Sequence, residues 1–155
     1  MVLNYHHRLN RVNGFEACYL TIASGIDAMM IVPAYSVLFA FVFLILSTRT
    51  IRARRSAKIA IGTRGDKMLE RTARVHANFS EYVPFALLLI AFAEMRGVHQ
   101  IILHGLCLAL LGGRVAHAWG MSKEVENFKF RVTGMMLTLI TTGITALAIA
   151  YTYIF

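Results

Sequence analysis

The sequence predicts an all-α membrane protein, a bundle of four transmembrane helices, and three observations carry that expectation. Apolar residues make up 57% of the 155 and charged residues only 15%, with a mean hydropathy of +0.60, outside the range of soluble globular chains. Uncharged runs of membrane-spanning length recur along the chain. The cations collect at the borders of those runs.

The first 27 residues are poorly apolar and lack the compact hydrophobic stretch of a secretion signal, so they read as an uncleaved N-terminal extension preceding a membrane domain over 28–155. Met29 and Met30 stand at the entrance of the first span, and a translation start at Met29 is the alternative to one at Met1. Ala28 to Thr48 holds no charged residue over 21 positions, roughly 31 Å of helix against a hydrocarbon layer of ~30 Å. The longest link follows, roughly Arg49 to Leu69, with Gly62 and Gly65 as turn residues and Thr63–Asp66 as a turn before the second helix.

Only 12 uncharged residues separate Glu81 from Glu94. The second span must therefore recruit its polar approach, which draws Arg74, Asn78 and Glu81 into the bilayer zone. Pro84 removes one backbone hydrogen bond there, and a kink beside it is expected to widen a polar pocket. Gly97 to Gly113 and Val132 to Phe155 supply the third and fourth spans, with 17 and 24 uncharged residues.

Nine of the sixteen cations (Arg49, Arg52, Arg54, Arg55, Lys58, Arg64, Lys67, Arg71 and Arg74) fall in the first link or at its edge. Lys123, Lys129 and Arg131 fall between the third and fourth spans, and Arg8, Arg11 and Arg96 on the opposite side. The positive-inside rule then places both termini outside and the Arg-rich links in the cytosol. A formal charge of +8 invites a nucleic-acid reading, but cations at membrane borders match anionic headgroups instead, so the partner is the lipid bilayer and no nucleic acid is expected.

Cys18 and Cys107 have neither metal-ligand spacing nor an obvious disulfide relationship, and the isolated pair His6 and His7 makes no metal site. There is no Gly-rich phosphate loop, nucleophile elbow or metal-binding His-Glu-x-x-His. The chemistry lies elsewhere. At 100° per residue Asn78 lies about 40° from Arg74 and Glu81 about 20° from it on the other side, so the three share one helix face. Arg114 and His117 form a second polar stripe at i, i+3, and Arg131 opens the fourth helix. Arg52, Arg74, Arg114, His117 and Arg131 are expected at one bilayer boundary, with Glu81 a turn or two deeper. Such a cup suits a small molecule with two carboxylates and one ammonium.

Blander readings compete residue by residue. Arg74 and Glu81 could neutralise one another, and Asn78 could bond to a neighbouring helix. His76 and His117 could be core histidines, Tyr82 and Trp119 interface aromatics, and Arg52, Arg54 and Arg55 a positive-inside anchor.

Arg74-x-His76-x-Asn78-x-x-Glu81-Tyr82-x-Pro84, then Gly113-Arg114-x-x-His117, then Phe130-Arg131-x-x-Gly134, resembles the MAPEG family, the membrane-associated proteins in eicosanoid and glutathione metabolism, over about residues 28–155. The short bacterial members look most similar. The resemblance implies a homotrimer in a bacterial inner membrane, binding glutathione as co-substrate between subunits on the cytoplasmic side. Arg74, Asn78, Glu81 and Tyr82 match the family's glutathione contacts, with Arg52, Arg114 and His117 beside them and His76 where some members place a contact from the neighbouring subunit. Arg131 looks like the arginine that stabilises the glutathione thiolate.

Met121, Val132 and Met135 stand where eicosanoid-forming members carry hydroxyl side chains, which argues against eicosanoid synthesis. The implied activity is that of a glutathione transferase or peroxidase acting on hydrophobic small molecules that enter from lipid. The alternatives are a small proton-coupled multidrug antiporter using Glu81, or a non-catalytic membrane scaffold.

Overall fold

A computed structural model describes residues 30–122 and 127–154. The N-terminal extension, with Cys18, His6 and His7, lies outside the described residues, as do Met29 and Lys123. The described chain forms four helices: α1 (Ile31–Ala57), α2 (Lys67–Met95), α3 (Gln100–Ser122) and α4 (Phe128–Ile154). Each is long and apolar enough to cross a bilayer. The protein is thus the expected all-α four-span membrane bundle.

Antiparallel order follows from the contacts at the helix ends. The last turn of α2 meets the first turn of α1 through Glu94, and Arg96 meets the last turn of α4 through Thr152. α1 has no side-chain cap of its own. The Glu94 carboxylate supplies one, accepting from the backbone N–H of Met30 and Ile31 on Oε1 (3.0 and 2.7 Å) and of Val32 on Oε2 (2.9 Å). Groups that would be orphaned at a helix start are thereby satisfied.

The structure shortens the link expected from Arg49 to Leu69. α1 continues through the arginines to Ala57 and ends at Lys58 in the left-handed conformation (φ 55°), so the connection spans only 58–66. Arg, Ala and Lys are strong helix formers, and Arg54 and Arg55 in the last turn complement the helix dipole. Arg54 Nη1 also donates to the carbonyls of Ala60 and Gly62, both at 3.1 Å, holding the loop against the helix end. Asp66 then caps α2 by accepting from the Leu69 N–H at 2.8 Å.

Phe39 and Leu46 of α1, Val75, Phe79, Val83, Ala86 and Ile90 of α2, and Leu103, Leu106, Cys107 and Leu110 of α3 form the core. α4 adds Thr138 and Thr145, whose buried hydroxyls donate to the carbonyls of Gly134 and Thr141 one turn back. α3 and α4 pack backbone to backbone. A Cβ on Gly134 would collide with the Gly113 carbonyl oxygen and come within 2.5 Å of the His117 nitrogen, and one on Gly120 would lie 2.6 Å from the Arg131 nitrogen. Small residues allow this approach in a membrane, where apolar side chains gain little by leaving lipid.

α2 passes unbroken through Pro84. The space beside the proline corrects the expectation of a widened polar pocket: it is an apolar groove of about 310 Å³ facing α1, lined by Phe39, Phe43, Phe79, Val83 and Leu87.

Candidate functional site

The residues of α2 separate by helical phase. Val75, Phe79, Val83, Ala86 and Ile90 turn inward. On one flank of that core face lie Arg74 and Glu81, both exposed, with Asn78 half-buried between them. Tyr82 sits half-buried at the border between flank and core. His76 occupies the other flank, about 160° around the helix from Arg74. There it is hydrogen-bonded to Ser47 of α1 (Nε2 to Oγ, 3.0 Å) and packs on the Phe43 ring with centroids 5.2 Å apart. A single chain therefore does not bring His76 to the Arg74–Asn78–Glu81 stripe.

From α3, Arg114 projects into the protein and is 1% exposed. Its guanidinium faces the Tyr82 ring, 5.7 Å from the centroid, and its Nε and Nη1 have no hydrogen-bond partner among the described residues. His117, one turn along, is also buried and donates from Nδ1 to the Arg131 carbonyl at 3.1 Å. Arg131 begins α4 half-buried, its guanidinium 5.5 Å from the centroid of the Phe128 ring. Arg52 lies exposed near the end of α1. The fold thus gathers Tyr82, Arg114, His117 and Arg131, leaves the stripe open on the adjoining flank, and keeps Arg52 and His76 on the α1 side.

The depth of these groups differs from the sequence expectation. Arg114 was placed at the boundary with Arg74, and Glu81 deeper. The Arg114–Tyr82 contact instead sets Arg114 level with Glu81, about two turns of α2 inside Arg74. The Ser47–His76 and Thr50–Thr72 hydrogen bonds hold α1 level with the start of that ladder, so Arg52 is the outermost cation of the set.

A buried guanidinium with two donor nitrogens unpartnered among the described residues is costly to keep in a low-dielectric interior, and an anion would relieve that cost. Arg74, Asn78 and Glu81 add a cation, an amide and a carboxylate one helix face away. Spacing identified the stripe, whereas nothing in the sequence distinguishes the enclosed Arg114 from the exposed Arg74. Ser47, the partner of His76, was not foreseen, since no spacing rule relates it to a residue on another helix.

The MAPEG family model matches residues 32–151. Inner membrane protein YecN, from two strains of Escherichia coli, is 33% identical over 109 residues, covering 70% of this chain and 82% of YecN. The matched span runs from the first turn of α1 to the last turns of α4 and contains both polar stripes and the glycine seam that holds α3 against α4, so this chain belongs to the MAPEG family.

Proposed function

We propose that the protein binds glutathione at the open flank of α2, between neighbouring copies of a homotrimer in the bacterial inner membrane, and transfers it to lipophilic electrophiles. The observation that carries this reading is the enclosed Arg114, with two donor nitrogens unpartnered among the described residues, against Tyr82 at the edge of the Arg74–Asn78–Glu81 stripe. A charged side chain facing lipid costs about 2.5–3.5 kcal/mol near the bilayer centre, so a flank carrying Arg74 and Glu81 calls for a cover. A second copy supports that role. Because the polar flank and the His76 flank of α2 differ, copies would meet through unlike surfaces, an arrangement that closes into rings. His76 would then face the neighbour's stripe.

In this reading Arg74 and Arg52 take the glutathione carboxylates, a bidentate geometry that guanidinium provides and ammonium does not. Glu81 holds the amine, Asn78 bonds to the peptide, and Tyr82, Arg114 and His117 line the inner wall. Arg131 meets the sulfur. A thiol of reference pKa near 8.5 is only a few per cent ionised at neutral pH. A guanidinium lowering that value by about two units contributes roughly 2.7 kcal/mol toward the thiolate. The thiol proton leaves to water. The thiolate attacks the electrophilic carbon of a substrate arriving laterally from lipid, a carbon–sulfur bond forms, and the leaving group departs with its electron pair.

The bound ligand sits at the Arg-rich end, which the positive-inside rule assigns to the cytosol. Calorimetric titration of glutathione into the detergent-purified protein tests the reading, with saturable binding expected and its loss in both Arg74→Ala and Asn78→Ala. Titrations without heat, alongside proton-coupled dye uptake that Glu81→Gln abolishes, would replace it with the antiporter reading.

A further inference from the structure

A second site lies on the other side of α1, away from the stripe. A groove of about 340 Å³ lies between the later turns of α1 and the last turns of α3. Val42 and Ile45 of α1 and Val115 of α3 make its apolar wall, and Arg49, Trp119 and Ser122 stand at its mouth. We propose that this groove binds one anionic phospholipid, with the headgroup phosphate on Arg49 and an acyl chain against Val42, Ile45 and Val115. The proposal is independent of the glutathione reading.

Four observations carry it. Arg49 is the first charged residue after the uncharged first span, so its guanidinium stands where hydrocarbon gives way to headgroups. Among the described residues it is the charged group lining the groove, and no described acidic side chain lines it. Ser122 is committed to its own helix, its hydroxyl donating to the Ala118 carbonyl at 2.6 Å. The apolar wall is open rather than packed, with Ile45 58% and Val115 47% exposed.

Along α1, Val42 to Arg49 spans about 10 Å, the reach of a lipid's upper chain below its phosphate. Trp119, 60% exposed at the rim, occupies the depth at which indoles settle in bilayers. The medium at this depth is phospholipid, and the Arg49 guanidinium at the groove's edge selects the anionic kind.

Trp119 is the single tryptophan of the chain, so its fluorescence reports on this groove alone. The protein is reconstituted into mixed phosphatidylglycerol and phosphatidylcholine bilayers in which one lipid or the other carries brominated chains, and quenching is compared at equal mole fractions. Brominated phosphatidylglycerol is expected to quench with about fivefold higher relative affinity, the equivalent of ~1 kcal/mol per basic residue at the membrane surface. Arg49→Gln brings the ratio close to one, Arg49→Lys restores most of it, and Arg55→Gln, outside the groove, leaves it intact. Equal quenching by the two lipids overturns the proposal, as does a preference that survives Arg49→Gln or falls equally in Arg55→Gln. Absence of quenching by either lipid also overturns it, because a second copy of the chain then covers the groove.

Discussion

Glu94 and Arg96, two residues apart at the end of α2, cap two other helices in opposite senses. The Glu94 carboxylate accepts three backbone N–H groups at the start of α1. The Arg96 guanidinium donates to the Thr152 carbonyl at 2.8 Å and to its hydroxyl at 3.2 Å, and stacks 4.3 Å from the centroid of the Tyr153 ring in the last turn of α4. Negative charge meets the positive end of one helix dipole and positive charge the negative end of another. A single turn of α2 thereby sets the heights of α1 and α4, and through them the level of Arg52 and Arg131 at the far end of the bundle.

Glu94→Ala is accordingly expected to lose about 1–2 kcal/mol, the effect of removing a good N-cap. Arg96→Ala is expected to lose about 0.3–1 kcal/mol from an exposed C-terminal contact. Thermal unfolding in detergent, followed by circular dichroism, measures both. The expectation fails if the two variants rank the other way.

Gly134→Ala is expected to cost about 1–3 kcal/mol by overpacking, since the new methyl meets the Gly113 carbonyl and the His117 backbone. The same substitution at Gly112, where a Cβ has nothing within 4 Å, should lie within about 0.5 kcal/mol of the parent or gain slightly from helix propensity. Glutathione titration of the two variants should separate them equally, because the Gly134 seam holds Arg114 and His117 beside Arg131.

Replacing Arg114 by methionine distinguishes a ligand-binding cation from a structural one. An enclosed guanidinium with two unpartnered donors opposes folding, so Arg114→Met is expected to raise stability by about 1–3 kcal/mol while weakening glutathione binding at least tenfold. Unfolding curves and calorimetry on the same preparation test it. A destabilised variant with full affinity would make Arg114 a structural residue.

Arg131→Ala should move the titration of bound glutathione. A cation beside the sulfur favours thiolate and lowers the thiol pKa, so removing it shifts the midpoint of the ultraviolet thiolate band upward, by about two units if Arg131 is the main contributor. An unchanged midpoint takes Arg131 out of the mechanism.

The α2 stripe was legible because phase within one helix is local. A fixed rotation per residue places Arg74, Asn78 and Glu81 on one flank whatever surrounds them. The four spans were equally legible, since their length and apolarity answer to the thickness of a bilayer rather than to any neighbour. His76 shows where that legibility stops. It belongs to the same motif as Arg74, but which flank meets α1 depends on Ser47 and Phe43, about three and four helical turns before the end of another helix.

Composition, charge placement and helical phase were therefore enough for the class of protein, the number of crossings and the membership of the polar stripe. The level of Arg114 against Tyr82, the enclosure of its guanidinium and the capping of α1 by Glu94 arose from packing between helices. That packing depends on where backbones can touch, as Gly113 and Gly134 do, and on which unsatisfied N–H groups lie within reach of a carboxylate. Such contacts join residues remote in the chain, and no period along a single helix encodes how far one helix slides past another.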